Sequence, residues 1–478
     1  MMKGLKRPHF FRSVALPLVL TLAVSGCAHQ TPDPGPQEQL PERFSRSGDV
    51  VLPAQFWQAF ADAELDALVQ QALQQNHSLR ATAETLVQAR AVLRQRDAAR
   101  WPSVDMNLSA QRIRGDSANA GDIYSGGLAA SYELDLWGRV SSAADAAEFD
   151  LLATEEAIQA ARISLAAEVT SVWYQLVGQR SLQTLQLQQI DANEKVLQLI
   201  TARFQQGLSD AADVLRQKVL LEQNHAALAD YNANIAVLEH ALAVLTGAVA
   251  GTAQFPDQAI LAELPPLPDT GLTADWLQNR PDIRQAFYGL QAADARLAVA
   301  VAERYPRIDL TASVTSASTS ASSLFDDWFD TLAANALLPL FDAGARKAEV
   351  TRNESLFRQQ FERYQQTVLQ AVAEVEDALT RESYQQTRIQ HLQNKLELNN
   401  QVVQRLGLRY RSGNVDYLDV LQALVDKQQT EQDLVTARQQ RTGYRIALAR
   451  ALATGWVEAD SSQGSSQDPS QNQATSPN

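Results

Sequence analysis

Two hydrophobic periods alternate along this chain. Between Gly138 and Gly207, and again between Gly344 and Gly413, there is no proline, and apolar residues recur every three or four positions. Leu165, Val169, Val172 and Leu176 set the pattern in the first stretch, and Val368, Val372, Val375 and Leu379 in the second. That spacing lines one face of a helix. It predicts two helices far longer than the ordinary length of about 11 to 12 residues. At a rise of about 1.5 Å per residue, each reaches roughly 100 Å. Gly178 and Gly407 are the candidate points for a bend or an early end. Shorter helical stretches flank each long one, at about 76–100 and 211–247 in the first half and 281–304 and 417–452 in the second. Their summed lengths nearly match the long partner, so they are expected to stack end to end beside it in a thin, coiled-coil-like layer.

The remaining segments switch to period two. After Pro102, Val104, Met106, Leu108 and Ala110 alternate with Ser103, Asp105, Asn107 and Ser109, and after Pro306, Ile308, Leu310, Ala312 and Val314 alternate with Arg307, Asp309, Thr311 and Ser313. Each run has one apolar and one polar face. The proline ends the preceding helix, because the residue before it is pushed out of the α region. Two hairpins are predicted, at about 103–137 and 307–341, the last strand falling at about 329–340 with weak alternation. A soluble sheet needs a helical cover, and these helices are already spent on one another. A barrel facing lipid outside and a polar lumen inside fits the pattern better, with Trp101 and Tyr305 at the interfacial belt. Four strands cannot close a barrel and an open edge in lipid is costly, so the chain is expected to oligomerise. A dimer gives eight strands and a trimer twelve.

The junction sequence RWPSVDM (100–106) recurs as RYPRIDL (304–310), and residues 79–110 share 10 identities in 32 ungapped positions with 283–314. Further on, RFQQGLSDAADVL (203–215) matches RYRSGNVDYLDVL (409–421) at 6 of 13 positions, an offset of 206 residues (203 to 409). Helical periodicity alone does not place matched Pro, Gly and Asp at such offsets, so the chain is read as a tandem duplication. The expected organisation is a signal peptide at 1–26, a Cys27 and proline-rich tether to 53, a first repeat at 54–254, a linker at 255–272, a second repeat at 273–457 and a disordered tail at 458–478.

Lys3, Lys6, Arg7 and Arg12 precede the apolar run VALPLVLTLAV, which stops at SGC. This is the layout of a secretory signal, and the run is short for a membrane span of about 20 residues. Cys27, the single cysteine, excludes a disulfide framework and a cysteine-based zinc site. Removing the four leader cations takes the net charge from −14 to −18, a poor balance for nucleic-acid binding. None of the six histidines pairs with another at helical i, i+4 spacing, and His77, His225 and His240 read as surface or packing residues. No glycine-rich phosphate loop or nucleophile elbow appears, and neither an enzyme site nor a cofactor is expected.

Four motifs then bring a family into view: FWQAFADAELDALVQQALQQNHSL near the start, YELDLWGRV and PLFDAGAR at the two strand-to-helix junctions, and NRPDIRQA opening the second half. With them, about residues 54–457 resemble an outer-membrane factor of the TolC type, in its NodT-like lipoprotein branch. VSGC similarly resembles a lipobox with Cys27 as the lipidated residue, and Ala28 in place of Asp leans toward the outer membrane. The resemblance implies a mainly α protein with four strands per chain. These would form a homotrimer with a 12-stranded barrel continuing into a periplasmic α-barrel. It implies a passive exit duct for drugs and other small molecules, served by a periplasmic adaptor and an inner-membrane transporter of the RND type. The alternative is a periplasmic structural or adaptor lipoprotein without a pore.

The same resemblance gives the turns at Gly207 and Gly413 a role in closing the periplasmic mouth. It makes Asp213 and Tyr410 partners in a lock between helices, and Asp419 part of a carboxylate ring at the constriction. Val415 stands where some members carry a tip arginine, with Arg411 as a candidate substitute. From the residues alone, each turn is a helix hairpin with a glycine C-cap and an aspartate in the next first turn.

Overall fold

A computed structural model describes residues 40–114, 121–261 and 263–454. The signal peptide, Cys27 and the tail after 457 lie outside the described residues. Twelve regular elements follow in order: α1 (Ala63–Gln75), α2 (His77–Ala98), β1 (Ser103–Ile113), β2 (Gly121–Leu134), α3 (Arg139–Gln205), α4 (Ala211–Leu245), α5 (Thr273–Asn279), α6 (Pro281–Ala302), β3 (Arg307–Ser318), β4 (Phe329–Leu337), α7 (Ala345–Arg411) and α8 (Tyr417–Leu452). The order α, β, β, long α, α occurs twice, once on each side of the linker. The chain divides into two compact units, and two of the boundaries fall inside the long helices, at Ala161/Arg162 and Glu374/Val375.

The first unit comprises Gln75–Ala161 and Pro281–Glu374 and holds the sheet. Its four strands are antiparallel in the order β1-β2-β3-β4. Register puts Val104 beside Ala130, Met106 beside Leu128 and Leu108 beside Gly126. Leu128 in turn faces Val314, and Ala312 faces Leu332. One face is therefore largely apolar, with the large side chains Met106, Leu108, Leu128 and Leu332 exposed, although Asp330 of β4 stands beside Val314 on it. The other face is largely polar on β1 to β3, with hydroxyl pairs bridging β1 and β2, Ser103 to Ser131 at 2.9 Å and Ser109 to Ser125 at 2.7 Å, but on β4 it carries the exposed Phe329 and Leu337. β4 stops at Leu337, short of the expected 340, because Pro339 has no N–H to give the ladder. Both junctions place an aspartate at the start of the long helix. Asp135 accepts from the amides of Val140 and Ser141 at 2.9 and 2.8 Å, and Asp342 from those of Gly344 and Arg346 at 2.9 and 3.1 Å. Trp137 donates through Nε1 to the Pro306 carbonyl at 2.7 Å and stacks on Tyr305, with ring centroids 5.1 Å apart. Trp101 by contrast stays exposed. Below the sheet, Leu290 packs with Phe357 and Phe361, and Leu297 with Ala300 and Val350.

The second unit comprises Arg43–Gln74, Arg162–Arg280 and the chain from Val375 on. Trp57, Leu65, Val69, Trp173, Leu176, Leu242 and Leu448 are fully buried in it. Trp173 Nε1 donates to Asp62 Oδ2 at 2.9 Å, while Asp62 Oδ1 accepts the Glu64 and Leu65 amides and so caps α1. The segment entering the unit pairs with the linker, Gly48 N–H to Pro268 O at 3.0 Å and Asp269 N–H to Val50 O at 2.8 Å.

Neither long helix ends at its internal glycine. α3 runs through Gly178 and α7 through Gly407, because one glycine costs only about 1 kcal/mol relative to alanine. A Cβ at position 178 would lie 2.6 Å from Gln439 Cδ, so the glycine there admits the α8 side chain. Among the described residues no helix is long and apolar enough to cross a membrane.

Candidate functional site

The turns at the ends of α3 and α7 share one construction. Gly207 and Gly413 both sit at φ +74°, a left-handed conformation that glycine adopts without a Cβ clash. In the first turn the Gly207 amide donates to Phe204 O and the Leu208 amide to Arg203 O, both at 2.9 Å. In the second, Gly413 donates to Tyr410 O at 3.0 Å and Asn414 to Arg409 O at 2.9 Å. These paired bonds are the Schellman closure, which satisfies carbonyls the helix end leaves open. Asp210 and Asp416 then occupy the N-cap positions of α4 and α8, and Asp213 and Asp419 lie in their first turns.

The two first-turn carboxylates differ in their surroundings. Asp213 accepts from Ser209 Oγ at 3.0 Å and from Arg216 Nη1 at 3.2 Å. In the second copy the equivalents of Ser209 and Arg216 are Val415 and Gln422. Val415 has no hydroxyl to give. Asp419 is exposed and makes no hydrogen bond or ion pair among the described residues. The same Ser-to-Val difference thus removes the carboxylate's partner in one copy and keeps it in the other.

Tyr410 reaches Asp213 through Ser209, its hydroxyl lying 3.4 Å from Ser209 Oγ. The Arg203 guanidinium sits 4.7 Å from the centre of the Tyr410 ring, a distance at which a cation is held by the ring face. Arg411 is exposed and forms no ion pair among the described residues. Behind Tyr410 lies Tyr417, with ring centroids 5.6 Å apart. Tyr417 is buried, and its hydroxyl donates to Gln217 Oε1 at 2.5 Å. Burial pushes the Tyr417 phenol well above its ordinary range, with Tyr410 and Asp213 adding to the effect.

From Gln217 a chain of amides continues between the helices. Gln217 Nε2 donates to the Asn193 carbonyl at 2.9 Å, Asn193 Nδ2 to Gln428 Oε1 at 3.3 Å, and Gln189 Nε2 to Glu431 Oε2 at 3.0 Å. Gln432 Nε2 donates to Gln186 Oε1 at 2.9 Å, and Gln186 Nε2 to the Asn224 carbonyl at 3.1 Å. Gln186, Asn193 and Gln217 are fully buried. A polar helix face in the sequence reads as solvated, which is why these residues escaped the sequence reading. Ser209, Tyr417 and Arg203 were also missed. For Ser209 and Tyr417 the available signal was the difference between the copies, where they align with Val415 and Ala211; Arg203 aligns with an identical residue, Arg409, so its signal was the repeat itself.

Nothing in this arrangement pairs a nucleophile with a base. It offers two glycine turns, a latched carboxylate, an unlatched one and a buried polar seam.

Residues 68–248 and 272–454 match the sequence profile of the outer membrane efflux protein family. The toluene efflux pump outer membrane protein TtgI of Pseudomonas putida is 32% identical over 467 residues, covering 92% of this chain and 98% of that protein. The cation efflux system protein CusC of Escherichia coli is 30% identical over 471 residues, covering 93% and 99%. The open state of the Neisseria gonorrhoeae MtrE outer membrane channel superposes with a TM-score of 0.78 at 26% identity, covering 89% of this chain and 98% of that one. The duplicated helix-hairpin-helix order and the profile match over most of both copies lead to one conclusion: the chain belongs to the outer membrane efflux protein family.

Proposed function

We propose that this chain is the passive outer-membrane exit duct of a tripartite efflux pump. The observation that carries the reading is the sheet: four antiparallel strands with a largely apolar exposed face and, on β1 to β3, a largely polar opposite face, leading directly into two helices of 67 residues. The apolar face meets lipid and the polar face lines the lumen. Among the described residues, β1 and β4 have no partner strand on their outer sides. Three copies supply twelve strands, enough to close a barrel and remove the lipid-exposed edges. The same exposed apolar face counts against a pore-free periplasmic lipoprotein.

Cys27 is the lipid attachment point, holding the chain at the outer membrane, with the long helices in the periplasm. The duct catalyses no reaction and draws its energy from an inner-membrane transporter through a periplasmic adaptor. One relative is named for toluene efflux and another for cation efflux. Cargo so different fits a duct that leaves selection to the pump.

The turns at Gly207 and Gly413 form the periplasmic mouth. Three copies of Asp419 there would repel one another and attract cations, with a strength that depends on salt. Asp213 and Tyr410 latch the mouth through Ser209, and adaptor binding opens it by preferring the open form. Detergent extraction tests the assembly. A heat-sensitive trimer that only detergent releases from membranes supports the duct; a monomer set free by cleaving its lipid overturns it.

A further inference from the structure

The two copies of the repeat hold the linker between them with ion pairs of opposite polarity. In the first copy, Arg180 on α3 donates to Glu239 Oε1 on α4 at 2.7 Å and also to the Pro256 carbonyl. In the second, Arg445 on α8 donates to Glu382 on α7, Nε to Oε2 at 2.8 Å and Nη2 to Oε1 at 2.5 Å. Arg445 Nη1 also reaches the carbonyls of Pro265 and Pro266, at 2.5 and 2.9 Å. Three of the four side chains are almost closed to solvent: Arg180 is 6% exposed, Arg445 4% and Glu382 7%.

Glu239 and Arg445 occupy equivalent positions, at the same offset that aligns the two glycine turns. The short helix of one copy therefore carries an anion where that of the other carries a cation. If α8 replaced α4 beside α3, Arg445 would face Arg180. If α4 replaced α8 beside α7, Glu239 would face Glu382. Either exchange sets two like charges together with at least one of them almost closed to solvent, and a buried charge that has lost its partner is strongly destabilising.

A duplicated chain needs such discrimination, because its helices resemble one another closely enough to compete for the same partner. We infer that the reversed ion pairs are a pairing code: they assign α4 to α3 and α8 to α7, while the two arginines fasten the linker that joins the copies near its start and past its middle. This assignment stands whether or not the chain forms a duct.

The code can be rewritten with each of the two short pairs kept, although the longer contacts of Arg180 with Asp257 and of Glu382 with Arg441, both 3.7 Å, then become like-charged. R180E with E239R gives both copies the same polarity, as does E382R with R445E. Combining all four restores opposite polarity. Gln183→Cys with Asn232→Cys reports the native α3–α4 pairing, since these side chains meet at 2.6 Å. Cys27 is otherwise the only cysteine, and the parent chain controls for it.

The expected result is a fall of about twofold in the native crosslink for each one-copy reversal, with recovery toward the unreversed level in the four-substitution chain. Two results would overturn the inference. One is an unchanged crosslink in the one-copy variants. The other is a four-substitution chain no better than they are, which would assign the loss to the severed linker contacts alone.

Discussion

Asp213 and Asp419 stand at equivalent places in the two copies, yet only Asp213 is held, by Ser209 at 3.0 Å and Arg216 at 3.2 Å. Replacing Val415 by Ser and Gln422 by Arg should rebuild that arrangement around Asp419. A bound carboxylate attracts mobile cations less. The reversal potential of the doubly substituted channel under a salt gradient should therefore move toward zero without loss of the carboxylate, and an unchanged potential would refute the unlatched role of Asp419.

The phenols of Tyr417 and Tyr410 predict different costs. Tyr417→Phe deprives the fully buried Gln217 Oε1 of its donor, and an unsatisfied buried acceptor costs about 1–3 kcal/mol. Tyr410→Phe gives up only a 3.4 Å contact to a partly buried serine and should stay within about 0.5 kcal/mol. Thermal denaturation of the two variants in the same detergent distinguishes them, and equal midpoints would refute the ranking.

The internal glycines of the long helices should respond differently. Gly178→Ala brings a Cβ to 2.6 Å from Gln439 Cδ, so the flexible Gln439 side chain must swing aside and give up its 3.3 Å bond to the Gln175 carbonyl. That loss of about 1 kcal/mol offsets a helix-propensity gain of similar size, and Gly178→Ala in a Gln439→Ala background should show the gain undiminished. A Cβ at position 407 has nothing within 4 Å, so Gly407→Ala should stabilise by up to about 1 kcal/mol from helix propensity. A destabilised Gly407→Ala would place a neighbouring subunit against that position.

Glu156 gives a pH signature. Burial raises its carboxyl above the usual range, opposed by Arg284 at 2.6 Å and reinforced by Glu155. Because the folded value is the higher one, the stability linked to this proton is complete below the unfolded pKa of about 4.5. It is lost as pH rises through the folded value. The midpoint difference between Glu156→Gln and the parent should therefore shift in favour of the variant as pH rises across that window. A constant difference would show that the carboxyl is not perturbed.

Much of the architecture was legible because it depends on local signals. Pro102 and Pro306 mark the helix-to-strand switches, and period two then sorts Met106 and Leu128 from Ser109 and Ser125 on opposite faces. The flanking helices begin and end within a few residues of their expected bounds. Gly178 misled because a local helix cost was weighed without the packing of Gln439 that requires it. The amides of Gln186, Asn193 and Gln217 were illegible for a related reason. Only tertiary pairing converts a polar face into a buried seam. At the turns, Gly207, Gly413, Asp213 and Asp419 were visible as a repeated motif. Ser209, which joins Tyr410 to Asp213, became visible once the copies were compared position by position.

Single-channel recording of the purified chain in a planar bilayer, beside Asp419→Ala, tests the duct most directly. A duct with Asp419 at its constriction gives discrete cation-preferring currents, with larger conductance and weaker preference in the variant. Silence from both, after each has been shown to insert as an oligomer, would contradict it.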